Sequence, residues 1–217
     1  MSLPSTATQR PLRLGRGSAY LDWLQMLSGA MLIVFMWTHL VLVSSVIIGP
    51  GVMNAIAWFF EATRLVYLIG PGIAVVFLLH FALAARKIPF VSAQQQVMWA
   101  NARRLRHEDT WLWMIQAGTA MVILILGAIH MWVVLTDLPI TAVKSAGRVQ
   151  GGWLIFYLVL LPMVELHVGI GFYRIAVKWG FLRRSNRLWL RKREHVLTAI
   201  LIVIGLVIKT QAAIRRG

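Results

Sequence analysis

The chain has 217 residues, of which 59% are hydrophobic and 13% charged, and its mean hydropathy is +0.73. This composition excludes an ordinary soluble domain and indicates an integral membrane protein. The absence of cysteine excludes disulfides, cysteine-ligated iron–sulfur clusters and covalently attached c-type haem on this chain. The 22 Lys and Arg residues outnumber 7 Asp and Glu residues. Because these cations flank apolar runs, they indicate membrane topology and not nucleic-acid binding.

Five apolar runs follow one another along the chain, each long enough to cross about 30 Å of hydrocarbon as a helix. They cover residues 21–48, 65–85, 111–135, 153–177 and 196–214. The sequence therefore predicts an all-α fold, an integral membrane bundle of five transmembrane helices over residues 21–214, preceded by a cytoplasmic segment, 1–20. The glycines and prolines at 49–51, 139 and 147–152 are typical of loops.

The basic residues are distributed unequally between the two sides that these five spans define. The N-terminal tail and the loops 86–109 and 178–195 carry 15 of them, whereas the opposite loops and the C-terminus carry 6. Cytoplasmic loops are enriched in Lys and Arg, so the N-terminus is predicted to be cytoplasmic and the C-terminus to lie outside.

Each of the first four spans contains one histidine: His39, His80, His130 and His167. Ionisable side chains inside a membrane are costly and usually functional. With the predicted orientation, His39 and His130 lie in the outer half of the bilayer, and His80 and His167 lie in the inner half. Two stacked bis-histidine centres fit haem b, whereas zinc would require three or four converging ligands. We therefore expect four helices to enclose two stacked haems.

Three polar side chains are predicted at the depth of the inner pair. Gln25 precedes His39 by 14 residues, which places it on the same helix face and about 21 Å nearer the cytoplasm. Trp113 begins the third span and Lys178 ends the fourth. These residues could contact the propionates of the inner haem, although an interfacial tryptophan and a snorkelling lysine are also ordinary features of membrane helices.

Two carboxylates are candidates for proton transfer. Glu165 lies deep in the fourth span, and its spacing of two residues from His167 predicts that it points to another side of the helix. Glu61 lies in the outer loop that enters the second span, near the depth of His39 and His130. It could accept protons from a quinol that is oxidised there, or it could be a solvated loop carboxylate.

Three segments resemble the dihaem cytochrome b membrane anchor of quinol:fumarate reductase, the single-chain five-helix type of the succinate:quinone oxidoreductase superfamily. They are LDWLQMLSGAMLIVFMWTH, HEDTWLWMIQ and, most specifically, VELHVGIGFYRIAVKWG. In that family four histidines bind two b haems, and they correspond to His39 with His130 and His80 with His167. The family's propionate contacts correspond to Gln25, Trp113 and Lys178, its quinol-oxidation glutamate to Glu61, and its proton-pathway glutamate to Glu165.

The resemblance implies a bacterial inner-membrane subunit that anchors a flavoprotein with covalent FAD and an iron–sulfur subunit on the cytoplasmic side, as a dimer of heterotrimers. It implies that menaquinol is oxidised near the outer haem and that electrons pass through the inner haem to the partner subunits, which reduce fumarate to succinate.

Three alternatives remain at this point. The same complex could work as a succinate:menaquinone reductase, because the sequence does not give the haem potentials. The chain could anchor another dihaem enzyme, such as a hydrogenase or formate dehydrogenase, although those anchors usually have four spans. A haem-free transporter could use the buried histidines and Glu165 for protons.

Overall fold

The computed structural model describes residues 16–181, together with Asn186, Lys192, Val196, Ala199, Ile200 and Val203. Residues 16–181 form seven α-helices: α1 (Arg16–Ser44), α2 (Pro50–Ala62), α3 (Leu65–Ala85), α4 (Ser92–Leu105), α5 (Glu108–Leu135), α6 (Ala142–Arg148) and α7 (Leu154–Lys178). A short 3-10 turn (Ser45–Ile47) follows α1, and a π-helical turn (Val149–Trp153) joins α6 to α7.

Four helical segments are long and apolar enough to cross a membrane. They are Gly17–Ile47, Leu65–Ala85, Glu108–Leu135 and Ala142–Lys178, which confirms the first four predicted spans. Large apolar side chains on these segments, such as Val75, Ile125 and Ile155, are exposed on the outside of the bundle, as expected for a surface that contacts lipid. The predicted fifth span, 196–214, lies outside the described residues except at four positions.

The four spanning helices pack as two close pairs. α1 packs most extensively against α3, and α5 packs most extensively against α7. Contacts of α1 with α7 and of α3 with α5 close the ring. The four helices therefore surround a common interior, which is where the candidate site lies.

Two segments that the sequence suggested were loops contain helices. Gly49 precedes α2, and Pro50 occupies its first position, where a missing N–H costs no helical hydrogen bond. The segment 86–109 contains α4, which ends with Arg103 and Arg104 in its last turn. Basic side chains are favourable there because they face the negative end of the helix dipole.

The glycine-containing segment 147–152 is also largely helical and not a simple loop. α6 continues into the π-helical turn, and the backbone departs from helical geometry at Gly151 and Gly152. Gly152 has a φ of 103°, a conformation that is accessible to glycine and strained for other residues. This glycine therefore allows the chain to change direction as it enters α7.

Candidate haem centres

A cavity of about 830 Å³ lies between α1, α3, α5 and α7. Its walls are mainly apolar, and all four histidines that the sequence singled out contribute to them. The volume lies in the upper part of the range of about 300–1,000 Å³ that is usual for ligand sites. The four helices thus place every candidate ligand around one common cavity.

The histidines of α1 and α5 lie close together. The ring centres of His39 and His130 are 6.0 Å apart, and the two ring planes differ by 69°. This separation would allow both rings to bind one haem iron, since a metal–nitrogen bond is about 2 Å long. His39 also stacks on Phe35, and His130 meets Tyr157 edge to face.

The histidine of α3 is held by two groups of α1. His80 Nδ1 lies 3.1 Å from the backbone carbonyl oxygen of Gln25 and 3.1 Å from Ser28 Oγ. A carbonyl oxygen only accepts hydrogen bonds, so Nδ1 of His80 carries the proton and donates it. The other ring nitrogen, Nε2, then has its lone pair available for a metal.

The histidine of α7 is held by α5 in the same way. His167 Nδ1 lies 3.0 Å from the carbonyl oxygen of Gln116 and 3.3 Å from Thr119 Oγ1. Gln116 precedes His130 by 14 residues, as Gln25 precedes His39. Gln116 and Thr119 were not predicted as site residues, although the repeated spacing of 14 residues is a signal that points to Gln116.

Gly29 lies directly behind the His80 imidazole. A Cβ atom at this position would be 2.9 Å from His80 Cε1 and 3.4 Å from His80 Nδ1. Only glycine leaves room for the ring in its present position. Gly29 was not predicted as a site residue, because glycine is common in membrane helices and its spacing alone does not mark it.

The three predicted propionate contacts, Gln25, Trp113 and Lys178, all contribute to the cavity wall. Among the described residues, Gln25 Oε1 is buried and has no hydrogen-bond partner. A buried oxygen of this kind is costly unless a ligand or a water molecule donates a hydrogen bond to it. The paired imidazoles, the apolar walls and this orphaned amide together fit a b haem.

Asp22 lies close to three cationic side chains at the end of the bundle that contains Lys178. Its carboxylate lies 2.9 Å from Lys87 Nζ, 3.3 Å from an Arg86 guanidinium nitrogen and 3.9 Å from Lys178 Nζ. Lys87 and Lys178 both contribute to the cavity wall. Asp22, which was not predicted as a site residue, therefore lies between two lysines of the cavity wall.

Glu61 belongs to the last turn of α2 and not to a loop. Its Oε1 accepts a hydrogen bond of 2.5 Å from the backbone N–H of Ile140. Asn54, also on α2, accepts one of 2.8 Å from the N–H of Ala142. These bonds attach α2 to the segment that follows α5, and Ile140 contributes to the cavity wall whereas Glu61 itself does not.

Glu165 is buried, with 6% of its surface exposed, and it contributes to the cavity wall together with His167. The spacing of two residues places these side chains on different sides of α7. Because α7 packs against both α5 and α1, two of its sides border the same interior.

A second charged cluster joins α6 to the segment that follows α5, at the opposite end of the bundle from Asp22. Asp137 accepts hydrogen bonds of 2.8 Å from Lys144 and 2.6 Å from Arg148. The Lys144 ammonium, and after it the Arg148 guanidinium, lower the pKa of Asp137 below its ordinary value. The carboxylate therefore stays ionised and neutralises a cation at the cavity wall.

Comparison with known proteins is consistent with this arrangement. The family model described as succinate dehydrogenase/fumarate reductase transmembrane subunit matches residues 92–208. The fumarate reductase cytochrome b subunit of Helicobacter pylori is 36% identical over 199 residues, which cover 87% of this chain and 78% of that protein. The corresponding subunit of Wolinella succinogenes is 36% identical over 205 residues, covering 88% and 80%. The chain therefore belongs to the succinate dehydrogenase/fumarate reductase transmembrane subunits, among the fumarate reductase cytochrome b subunits.

Proposed function

We propose that this chain oxidises menaquinol in the membrane for a fumarate reductase complex. It would pass the electrons to an iron–sulfur subunit and an FAD-bearing subunit on the cytoplasmic side, where fumarate is reduced to succinate. The names of the relatives support this role. The observation that carries it is the arrangement of four histidines, from four spanning helices, around one cavity.

His39 and His130 would hold the iron of an outer haem, and His80 and His167 that of an inner haem. When bound, the two b haems supply one-electron carriers between the quinol site and the cytoplasmic end. The backbone carbonyls of Gln25 and Gln116 fix the protonated nitrogen of the inner histidines. Each inner ring therefore presents Nε2, in a set orientation, to the metal.

Gln25, Trp113 and Lys178 would bind the propionates at the inner end. Lys178 supplies a positive charge that attracts a carboxylate, and the side-chain NH2 of Gln25 would donate a hydrogen bond to it. Asp22 lies 3.9 Å from the Lys178 ammonium and would share this cation with the propionate.

Glu61 would accept the proton of the quinol at the outer end. Its Oε1 is fixed by the Ile140 N–H, which orients the carboxylate and leaves the other oxygen to take a proton. Glu165, buried in α7, would carry protons across the membrane beside the electron path. A carboxyl group in such apolar surroundings is costly to ionise, which favours proton uptake and release together with electron transfer.

The chain would lie in a bacterial cytoplasmic membrane with its N-terminus inside and its C-terminus in the periplasm. The excess of basic residues in the loops 86–109 and 178–195 supports this orientation. The basic end of α4 would face the cytoplasmic partner subunits, and the whole complex would be a dimer of heterotrimers.

Redox difference spectra of membranes that contain the complex test the proposal. The unaltered complex should show two b-type components in a redox titration. His39→Ala should remove one component and His167→Ala the other, while His107→Ala serves as the control because His107 does not contribute to the cavity wall. A complex without a b-type α band, or ligand variants that keep both components, would refute the haem assignment.

A further inference from the structure

Arg174 differs from the other basic residues at the cavity wall. The described cations there are Lys87, Arg148, Arg174 and Lys178. Within the described part of the chain, each of the other three has a carboxylate within 4.0 Å, from Asp22 or Asp137. Arg174 instead donates a hydrogen bond of 2.7 Å to the side-chain amide oxygen of Gln116.

A neutral amide satisfies an N–H group of Arg174 but does not compensate its charge. Asp109, which also contributes to the cavity wall, attracts the guanidinium through space without forming an ion pair with it. A cation between apolar helices is costly without a close anion. The planar guanidinium is suited to bind a carboxylate through two parallel hydrogen bonds.

Arg174 is also placed in line with the inner histidine of α7. It follows His167 by seven residues, about two helical turns, so both lie on one helix face with Arg174 about 10 Å nearer the end of α7. Gln116 connects the two residues, since its backbone carbonyl accepts from His167 Nδ1 and its side chain accepts from Arg174.

We infer that Arg174 binds a propionate carboxylate of the inner haem and that Gln116 is a positioning residue that holds Arg174 and His167 in register. This inference rests on the proposed function. It adds a charged contact from α7 to the contacts expected from Gln25, Trp113 and Lys178. Loss of this positive charge disfavours the reduced, more negative haem and so lowers its midpoint potential.

The test is a spectroelectrochemical titration of the purified complex. Arg174→Gln should shift the potential of the inner haem downwards and leave that of the outer haem unchanged, whereas Arg174→Lys should restore the original value. Gln116→Leu keeps the backbone carbonyl on His167 and should also lower the inner potential. Arg64→Gln is the matched control, because Arg64 precedes the first turn of α3, at the end of that helix away from His80, and does not contribute to the cavity wall.

An unchanged inner potential in Arg174→Gln would overturn the inference. If the Arg174→Gln complex lacks the inner haem altogether, the Arg174→Lys complex decides the matter. Presence of the inner haem in Arg174→Lys supports a charged contact, and its absence there refutes a charged contact. An unchanged inner potential in Gln116→Leu would refute the positioning role. Failure of the proposed function is separate, because it would appear as a missing b-type component in the complex with Arg174 intact.

Discussion

The glycine behind His80 gives a sharp test of the inner centre. In Gly29→Ala, the new Cβ would stand 2.9 Å from His80 Cε1. Carbon atoms pack without repulsion at about 3.5–4.0 Å, so the ring must move by about 0.6–1 Å or the helices must separate. The ring cannot rotate away cheaply, because its Nδ1 bonds to Gln25 and Ser28 hold it from α1.

Those two bonds are already 3.1 Å long, close to the outer end of the usual range of about 2.7–3.2 Å. A displacement of the ring by more than half an ångström would therefore break at least one of them. Overpacking of this kind typically costs about 1–3 kcal/mol. If this free energy is lost from haem binding, the affinity of the inner site for haem should fall about 5- to 150-fold.

The measurement is the haem content of the purified Gly29→Ala complex, resolved into its two b-type components by redox titration. The inner component should be reduced in amount or shifted in potential, and the outer component should be retained. Gly72→Ala is the control on α3, the helix of His80, because nothing lies within 4 Å of a Cβ at that position. A Gly29→Ala complex with both components unchanged would refute the close packing between α1 and the His80 ring.

Three other outcomes are expected. Glu61→Gln should lower quinol oxidation about 10²- to 10⁴-fold, the usual contribution of a general base, with haem content and fumarate reduction by an artificial donor unchanged; full quinol oxidation would exclude the role. Glu165→Gln should slow quinol-driven turnover in sealed vesicles but not donor-driven turnover, and equal rates would argue against a proton route. Because Lys144 and Arg148 lower the pKa of Asp137 from 3.8, its contribution to stability is present above that value and lost as the pH falls through the lower folded value. Asp137→Asn should accordingly reduce the melting temperature at neutral pH, with the difference from the unaltered complex vanishing in acid.

The four described spans could be predicted because lipid imposes a strong length requirement on apolar helices. Shorter helices carry no such requirement, and α2 and α4 were missed for that reason. Gly49 and Pro50 look like a turn in the sequence, yet the structure places Pro50 at the first position of a helix. A proline at this position is compatible with both structures, so local composition alone could not decide between them.

Depth along the helices could also be predicted, since each residue advances a helix by about 1.5 Å. Helix rise placed His39 and His130 at one level, and the structure brings their rings to 6.0 Å. Helix rise gives no information on which neighbouring group a side chain meets. The contacts of His167 with Gln116 and of Arg174 with the same residue depend on how α5 and α7 rotate and pack against each other, and they became visible only in the folded bundle.

The groups that hold the two inner histidines belong to the helices that carry the two outer histidines. The positions of the two proposed haem centres therefore depend on each other. α1 contributes His39 to the outer pair and, through Gln25 and Ser28, holds His80 of the inner pair. α5 has the same double role, because it contributes His130 to the outer pair and holds His167. A displacement of either α1 or α5 would therefore alter one ligand at the outer centre and the orientation of one ligand at the inner centre. α3 and α7 contribute histidines to the inner pair, and α7 also meets the outer pair through Tyr157, which lies edge to face with His130. α1 and α5 are therefore the helices that supply a ligand at one centre and hold a ligand at the other.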